Sequence, residues 1–397
     1  MKTYVYTLFC FLSLLLFTAC GDDDNSPIAP VLGSRTVLVY MAADNNLVGF
    51  AYNDLDEMKQ GMRQVVGEDI HFLVYMDFGT QVRLVELKNE NGQVKEVLLK
   101  QYATPRNSIG FAETAEVFRD AFTAFPAESY GLVYWSHGDG WIPANVNTKW
   151  IGQDSSNGFM NLSDFVLALQ EVPHLDFLLF DACFMQGIEV AYEMRSFTDA
   201  LVCSPTETPA PGAPYQKIVP AMFIQEPALN IAKAYYNYYS SYYVEPNAGE
   251  IRYSPWNSNN DWISGLSMSV VKLDNIQELA NLTLSLLTKA NFVDLQTLRK
   301  LVSNYDKRNN CLYYDFYSLM KQLLSSDDFI TWRSLFDNVC VYWATTPYNF
   351  STSAKLFSMA DTHGVSHYIP TDLSSGALQA YRQTAWYQAA GLSQLGW

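Results

Sequence analysis

Short apolar runs alternate with helical patterns along the first half of the chain. Four runs are apolar on both faces, as buried parallel strands are; they cover residues 35–42, 70–76, 130–136 and 175–181. Apolar residues at three- and four-residue spacing predict helices at 47–62, 113–125, 162–170 and 185–194. This alternation predicts βαβ units, which build an α/β fold: a mainly parallel sheet with helices on both faces.

The pattern loosens in the second half. A hairpin is predicted earlier, around Asn91-Gly92, where such turns join two strands at a sheet margin. Beyond residue 215 we predict strands at 263–273 and 365–369, and helices at 228–243, 276–289, 292–303, 316–324 and 329–343. No internal repeat divides the chain. We therefore expect one domain over residues 35–397, with a core at 35–215 and C-terminal embellishments at 216–397.

The N-terminus has the pattern of an export signal. Lys2 precedes an apolar run, Tyr4–Phe17, that is too short for a membrane-spanning helix. Small residues before Cys20 resemble a bacterial lipobox, so residues 1–19 are predicted to be a lipoprotein signal and Cys20 the lipidated residue. An ordinary signal peptide cut nearby is the alternative.

Residues 20–34 are polar and contain proline, which predicts a flexible tether. The three aspartates at 22–24 resemble the export tags of surface-exposed outer-membrane lipoproteins, although they fit a solvated spacer as well. The predicted location is the outer membrane, reached through the lipid alone and exposed at the cell surface. The alternative is a periplasmic or secreted protein.

Charge and cysteine content narrow the function further. The net charge is −16, which disfavours nucleic acid as a partner and favours basic peptides. Four cysteines follow the signal and tether, at no spacing typical of a metal site or a disulfide framework: Cys183, Cys203, Cys311 and Cys340. Cys203 lies in an apolar run and is predicted to be buried. Pairing of Cys311 with Cys340 stays open.

Two of the predicted strands end in reactive side chains. His137-Gly138 follows one strand, and Asp181-Ala182-Cys183 follows the next. In open α/β folds, ligand-binding and catalytic residues lie at the carboxyl ends of the strands. A thiol, a base and donors for an oxyanion are what cysteine catalysis needs. We expect His137 and Cys183 to act as a catalytic pair, with Cys183 as the nucleophile and His137 as its base. The Gly138 and Cys183 amides are expected to bind the oxyanion. The helix at 185–194 is expected to lower the pKa of the Cys183 thiol.

These motifs resemble the clostripain family, within the clan of caspase-fold cysteine peptidases. The segments that carry the resemblance are Val37–Leu47, Tyr134–Trp141, Asp181–Glu189, Ser204–Gly212 and Gly364–Pro370. The resemblance implies a three-layer αβα caspase-like sandwich. It also implies an endopeptidase that cleaves proteins or peptides through a His137/Cys183 dyad and needs no cofactor, although calcium dependence occurs in the family.

The resemblance implies further roles for three residues. Asp181 matches an acid at the specificity pocket that favours Arg or Lys, and Glu207 is the one acid left where a doublet is usual. Lys149, the only Lys or Arg between His137 and Cys183, is the candidate processing site. Asp181 could instead cap the next helix. For the whole protein, the alternatives are a catalytically silent surface protein that binds peptides, or a glycan-binding lipoprotein that uses its Tyr- and Trp-rich region.

Overall fold

One sheet of nine strands runs through the part of the chain that the structure describes. The computed structural model describes residues 34–67, 69–143, 151–155, 158–247, 254–291, 293–308, 312–353 and 355–397. The strands, in chain order, are β1 (Arg35–Ala42), β2 (Ile70–Asp77), β3 (Val82–Glu90), β4 (Gln93–Gln101), β5 (Ser129–Trp135), β6 (Gly152–Gln153), β7 (Phe159–Met160), β8 (Phe177–Asp181), β9 (Ala200–Cys203), β10 (Ser267–Lys272), β11 (Tyr313–Asp315), β12 (Cys340–Thr345), β13 (Tyr348–Ser351), β14 (Lys355–Ser358) and β15 (Ser366–Tyr368). The order across the large sheet is β12-β10-β9-β8-β5-β1-β2-β3-β4.

Parallel strands occupy the centre of the sheet. Strands β9, β8, β5, β1 and β2 run parallel, whereas β3, β4, β10 and β12 are antiparallel at the two margins. Every residue of β1 is buried, which explains why this strand is apolar on both faces rather than alternating. The predicted hairpin is confirmed, since β3 and β4 form one margin of the sheet.

Helices cover both faces of the sheet and separate two apolar cores. In chain order the helices are α1 (Val48–Met62), α2 (Phe111–Ala124), α3 (Leu162–Ala168), α4 (Ile188–Met194), α5 (Tyr215–Ala221), α6 (Pro227–Tyr242), α7 (Ile276–Leu287), α8 (Leu295–Leu301), α9 (Phe316–Leu323), α10 (Ser326–Val339), α11 (Gly376–Tyr381) and α12 (Ala385–Ala389). Alternate β1 residues point into different cores: Val39 packs with α1, α5 and α6, and Tyr40 packs with α2, α3 and α4. The predicted αβα sandwich is therefore confirmed.

Three predicted elements differ from the structure. The helix predicted at 329–343 ends at Val339, and the apolar residues after it form β12, which pairs with β10. The strand predicted at 263–273 shortens to Ser267–Lys272. The helix predicted from residue 185 begins at Ile188, after a Gly187 with extended backbone.

Residues 1–33 lie outside the described residues, so the signal, Cys20 and the tether stay predictions. Among the described helices, none combines the length and apolar content that crossing a membrane requires.

Four adjacent parallel strands end at one edge of the sheet. In the order β9, β8, β5 and β1, they lead into residues 204–208, 182–184, 136–138 and 43–46. All four segments contribute to the site described next.

Candidate active site

The loops that carry His137 and Cys183 touch each other. Their strands, β5 and β8, are paired in parallel, with Trp135 opposite Asp181. A Cβ atom added at Gly138 would lie 2.8 Å from the Cys183 carbonyl oxygen and 3.0 Å from its nitrogen. Only glycine leaves room for this approach. His137 and Cys183 both line a single cleft of about 290 Å³.

The thiol of Cys183 is half-buried and is hydrogen-bonded to Thr208. Its Sγ lies 3.3 Å from the Thr208 nitrogen and 3.5 Å from the Thr208 hydroxyl. Burial, with a smaller effect from the Glu207 charge, raises the pKa of the thiol to about 11. The expectation of a lowered pKa was wrong, because α4 begins five residues after Cys183 and is too far along the chain to stabilise a thiolate. The free thiol is neutral at neutral pH and needs a base.

The imidazole of His137 is suited to act as that base. Burial lowers its pKa, which keeps the ring neutral at neutral pH. Its Nε2 lies 2.5 Å from the Asn46 side-chain oxygen, an acceptor that favours a proton on Nε2. The Nδ1 lone pair then remains to accept a proton.

Asn46 is a site residue that sequence reasoning missed. It lies in the polar turn between β1 and α1. The hydrogen bond within this turn is made by Asn45, whose side-chain oxygen accepts from the Leu47 nitrogen at 2.8 Å. The sequence did offer one indication of this turn: it follows a predicted central strand, and so lies at the same edge of the sheet as His137 and Cys183.

Asp181 lies at the inner end of the cleft. Its Oδ2 accepts from the Ala213 nitrogen at 2.9 Å and from the Tyr215 hydroxyl at 3.1 Å, and its Oδ1 accepts from the Tyr235 hydroxyl at 3.1 Å. The helix-cap interpretation is therefore wrong. Burial raises the pKa of this carboxyl. The two tyrosines come from α5 and α6, so the sequence around Asp181 gave no indication of them.

A second buried carboxyl, that of Asp54 in α1, lies close to Asp181. Its Oδ2 accepts from the Trp135 indole nitrogen at 2.8 Å. A Cβ added at Gly212, which lines the cleft, would lie 3.0 Å from Asp181 Oδ2 and 3.3 Å from Asp54 Oδ2. Burial and the Asp181 charge raise the pKa of Asp54 well above its usual value.

Glu207 lines the same cleft but is held by a different element. Both of its carboxylate oxygens lie 2.9 Å from the Thr352 nitrogen, just beyond β13. Burial raises its pKa. Aromatic rings complete this wall: Trp262 packs edge-on against Trp256 at 5.4 Å and Phe350 at 5.3 Å.

The remaining sequence candidates lie elsewhere. Cys203 is buried, as predicted, and its thiol donates to Gln186. Lys149 and Cys311 lie outside the described residues, so processing at Lys149 and pairing of Cys311 stay predictions. Within the described residues, no group of three or more His, Cys, Asp or Glu side chains is arranged to hold a metal ion.

Comparison with known proteins decides the family. The sequence model of the clostripain family matches residues 39–390. The chain belongs to the clostripain family. Clostripain of Hathewaya histolytica is 27% identical over 225 residues, which are 46% of this chain and 41% of that protein. The chain thus spans less than half the length of this curated relative.

Solved structures of C11 (clostripain-family) cysteine proteases share the fold. A secreted C11 cysteine protease from Bacteroides thetaiotaomicron, in complex with an irreversible peptide inhibitor, is 38% identical with a TM-score of 0.82. The match covers 91% of this chain and 99% of that one. An inactive zymogen C11 protease from Parabacteroides distasonis is 28% identical with a TM-score of 0.76, over 90% and 99% of the two chains. This clostripain-family chain accordingly shares the caspase-like fold of these C11 cysteine proteases.

Proposed function

We propose that this chain is a secreted, lipid-anchored cysteine endopeptidase that cleaves polypeptides after Lys or Arg through a His137/Cys183 dyad. One observation supports the proposal above others. A thiol and a neutral imidazole line one cleft, and a buried carboxyl lies at its inner end. Peptide hydrolysis needs the first two groups, and recognition of a basic side chain needs the third.

Acylation begins with the neutral thiol. As Sγ attacks the scissile carbonyl carbon, its proton passes to Nδ1 of His137, and the carbonyl electrons move to oxygen. The Gly138 and Cys183 amides are the proposed donors to this oxyanion. In support, no hydrogen bond between described residues uses either amide as its donor. Collapse of the intermediate breaks the C–N bond, and the imidazolium gives its proton to the leaving amine.

Deacylation repeats these roles with water. The first step leaves a thioester between Cys183 and the acyl half of the substrate. Neutral His137 removes a proton from water as that water attacks the thioester carbon, and the proton then passes to the departing sulfur. Asn46, by holding Nε2–H, keeps Nδ1 as the base in both steps.

The preference for Lys or Arg rests on the shape and charge of the cleft. Asp181 lies beyond a cleft partly lined by aromatic rings, which suits a long apolar stem that ends in a cation. Glu207 adds a second acid to the lining. Secretion is supported by the B. thetaiotaomicron relative, which is described as secreted, and by the N-terminal pattern. Calcium stays a prediction from the resemblance, and no step depends on it.

The dyad is tested by removing the thiol. Cys183→Ala should abolish cleavage of a peptide library and block labelling by a peptidyl acyloxymethyl ketone. Cys340→Ala is the matched control, because that thiol is also half-buried but lies outside the cleft. Cleavage by Cys183→Ala at the wild-type rate would refute the dyad.

The preference for basic residues is tested separately with a library that varies the residue before the scissile bond. Wild type should favour Lys and Arg, and Asp181→Asn should lose most of that preference while it still labels with an uncharged ketone probe. A flat wild-type profile would contradict the specificity and leave the dyad intact.

A further inference from the structure

Arg308, in the C-terminal region, contacts both of the loops that carry the proposed dyad. We propose that Arg308 is a positioning residue that fixes the loop of His137 against the turn of Cys183. This inference rests on the proposed dyad, and it concerns a residue that contacts neither sulfur nor imidazole. Three sets of contacts support it.

The first set joins Arg308 to the His137 loop. Its Nη2 donates to Asp139 Oδ1 at 2.5 Å, two residues after His137. The side chain of Arg308 is about 29% exposed and that of Asp139 about 13%, so solvent screens this ion pair only partly. A displaced Asp139 would carry the histidine backbone with it.

The second set anchors Arg308 itself. Its Nε and Nη2 each donate to Asp306 at 2.9 Å, and its backbone nitrogen donates to the same carboxylate at 3.0 Å. Asp306 is buried. The planar guanidinium is therefore held in one orientation before it meets Asp139, which lysine could not reproduce.

The third contact joins Arg308 to the Cys183 turn. The guanidinium carbon lies 4.3 Å from the ring centroid of Phe184, the residue directly after the nucleophile. Phe184 has a φ of 62°, a left-handed conformation that is costly for a bulky residue. A strained residue keeps this conformation only when its surroundings enforce it, and Arg308 covers one face of its ring.

Tyr313 reinforces the same arrangement. Its hydroxyl donates to the Asp139 carbonyl oxygen at 3.0 Å, and its ring stacks near Phe184 at 5.9 Å. Arg308 and Tyr313 thus contact the same two residues, one in each catalytic loop. Such a repeated bridge fixes the separation of the loops, on which nucleophile and base depend.

The test is a double-mutant cycle on the full chain, assayed with the best peptide from the library. Arg308→Gln should lower kcat by roughly tenfold to hundredfold with KM within about twofold, since a displacement near 1 Å can cost that much. Asp139→Asn should act similarly. The kcat of the double variant should lie within about twofold of the kcat of the less active single variant, because both changes break the same ion pair. Arg308→Lys should lower kcat less than Arg308→Gln does, because lysine keeps the positive charge but not the planar guanidinium.

Controls separate positioning from folding and from the dyad. Arg299→Gln removes a partly buried arginine that donates to Ile369 O and lies over Tyr314, away from both loops, and should leave kcat unchanged. Unchanged kcat in Arg308→Gln, a raised KM with normal kcat, or losses that multiply in the double variant would each overturn the inference. Cys183→Ala runs alongside. Activity in that variant would reject the dyad instead.

Discussion

At the scale of single residues, the proposed dyad depends on which nitrogen of the His137 ring carries the proton. The Asn46 oxygen at 2.5 Å from Nε2 favours the tautomer that leaves Nδ1 as the base. The meeting of His137 and Cys183 in one cleft could be predicted because each lies two residues beyond the end of an apolar strand. For Asn46, the sequence indicates only the turn, since nothing in it distinguishes the Asn46 amide from the polar side chains of Asp44 and Asn45 beside it.

Asn46→Ala should therefore lower kcat by roughly tenfold to hundredfold, because the ring loses its fixed tautomer and orientation. Asn46→Asp should retain most of kcat, since a carboxylate also accepts from Nε2–H. The added negative charge favours the imidazolium and raises the pKa of His137, so the acid limb of kcat/KM should move to higher pH. Steady-state kinetics from pH 5 to 9 measure both effects. An acid limb that stays in place in Asn46→Asp would contradict the contact.

At the scale of elements, one loop builds much of the cleft. The segment between β9 and α5 supplies Thr208 at the thiol, Glu207 on the wall and Gly212 beside Asp181. Periodicity could predict the strands and helices around this loop. It could not predict the loop's path, or that residues 340–345 form a strand, because pairing with β10 determines the latter.

Gly212→Ala tests the inner end of the cleft. Gly212 has a φ of 75°, and its added methyl group would lie 3.0 Å from the Asp181 carboxylate. We expect kcat/KM for Lys and Arg substrates to fall at least about tenfold, as the methyl group fills space near the acid.

Gly92→Ala is the matched control for backbone strain. Gly92 has a φ of 84° at the tip of the β3–β4 hairpin, with no atom within 4 Å of an added Cβ. Backbone strain alone should cost the two variants a comparable amount of stability, on the order of 1 kcal/mol. Only Gly212→Ala should lose activity. Equal activity losses would mean that strain, and not the filled space, is the cause.

At the scale of the whole molecule, the C-terminal region completes both the sheet and the site. It adds β10 and β12 to one margin, and Tyr235 and Arg308 reach Asp181 and Asp139 from it. Sequence reasoning assigned this region to embellishments, because its helices and short strands form no repeating βαβ pattern. Its role follows from tertiary contacts that join residues more than fifty positions apart.

His367 in β15 links this region to the pH dependence of folding. Its ring is buried, donates from Nδ1 to the Tyr368 carbonyl oxygen at 2.7 Å and stacks on Phe316. Burial lowers its pKa to about 3. The folded state keeps this ring neutral, whereas the unfolded chain protonates it below about pH 6.5. The stability from His367 is thus present at neutral pH and is lost as pH falls from about 6.5 toward 3.

Acidification from pH 7 to pH 5 should therefore cost about 2 kcal/mol through His367 alone. Buried acids with raised pKa values, such as Glu189 at about 7, act in the opposite direction over this range.

The experiment must therefore compare two proteins that differ only at His367. Urea unfolding is measured for Cys183→Ala, which prevents self-digestion, and for the same variant with His367→Asn added. Asparagine can still donate to the Tyr368 carbonyl but does not titrate. The double variant should be less stable at pH 7 yet lose about 2 kcal/mol less on acidification. Identical pH slopes would mean that the His367 ring is protonated in the folded protein, and that this core admits a charge.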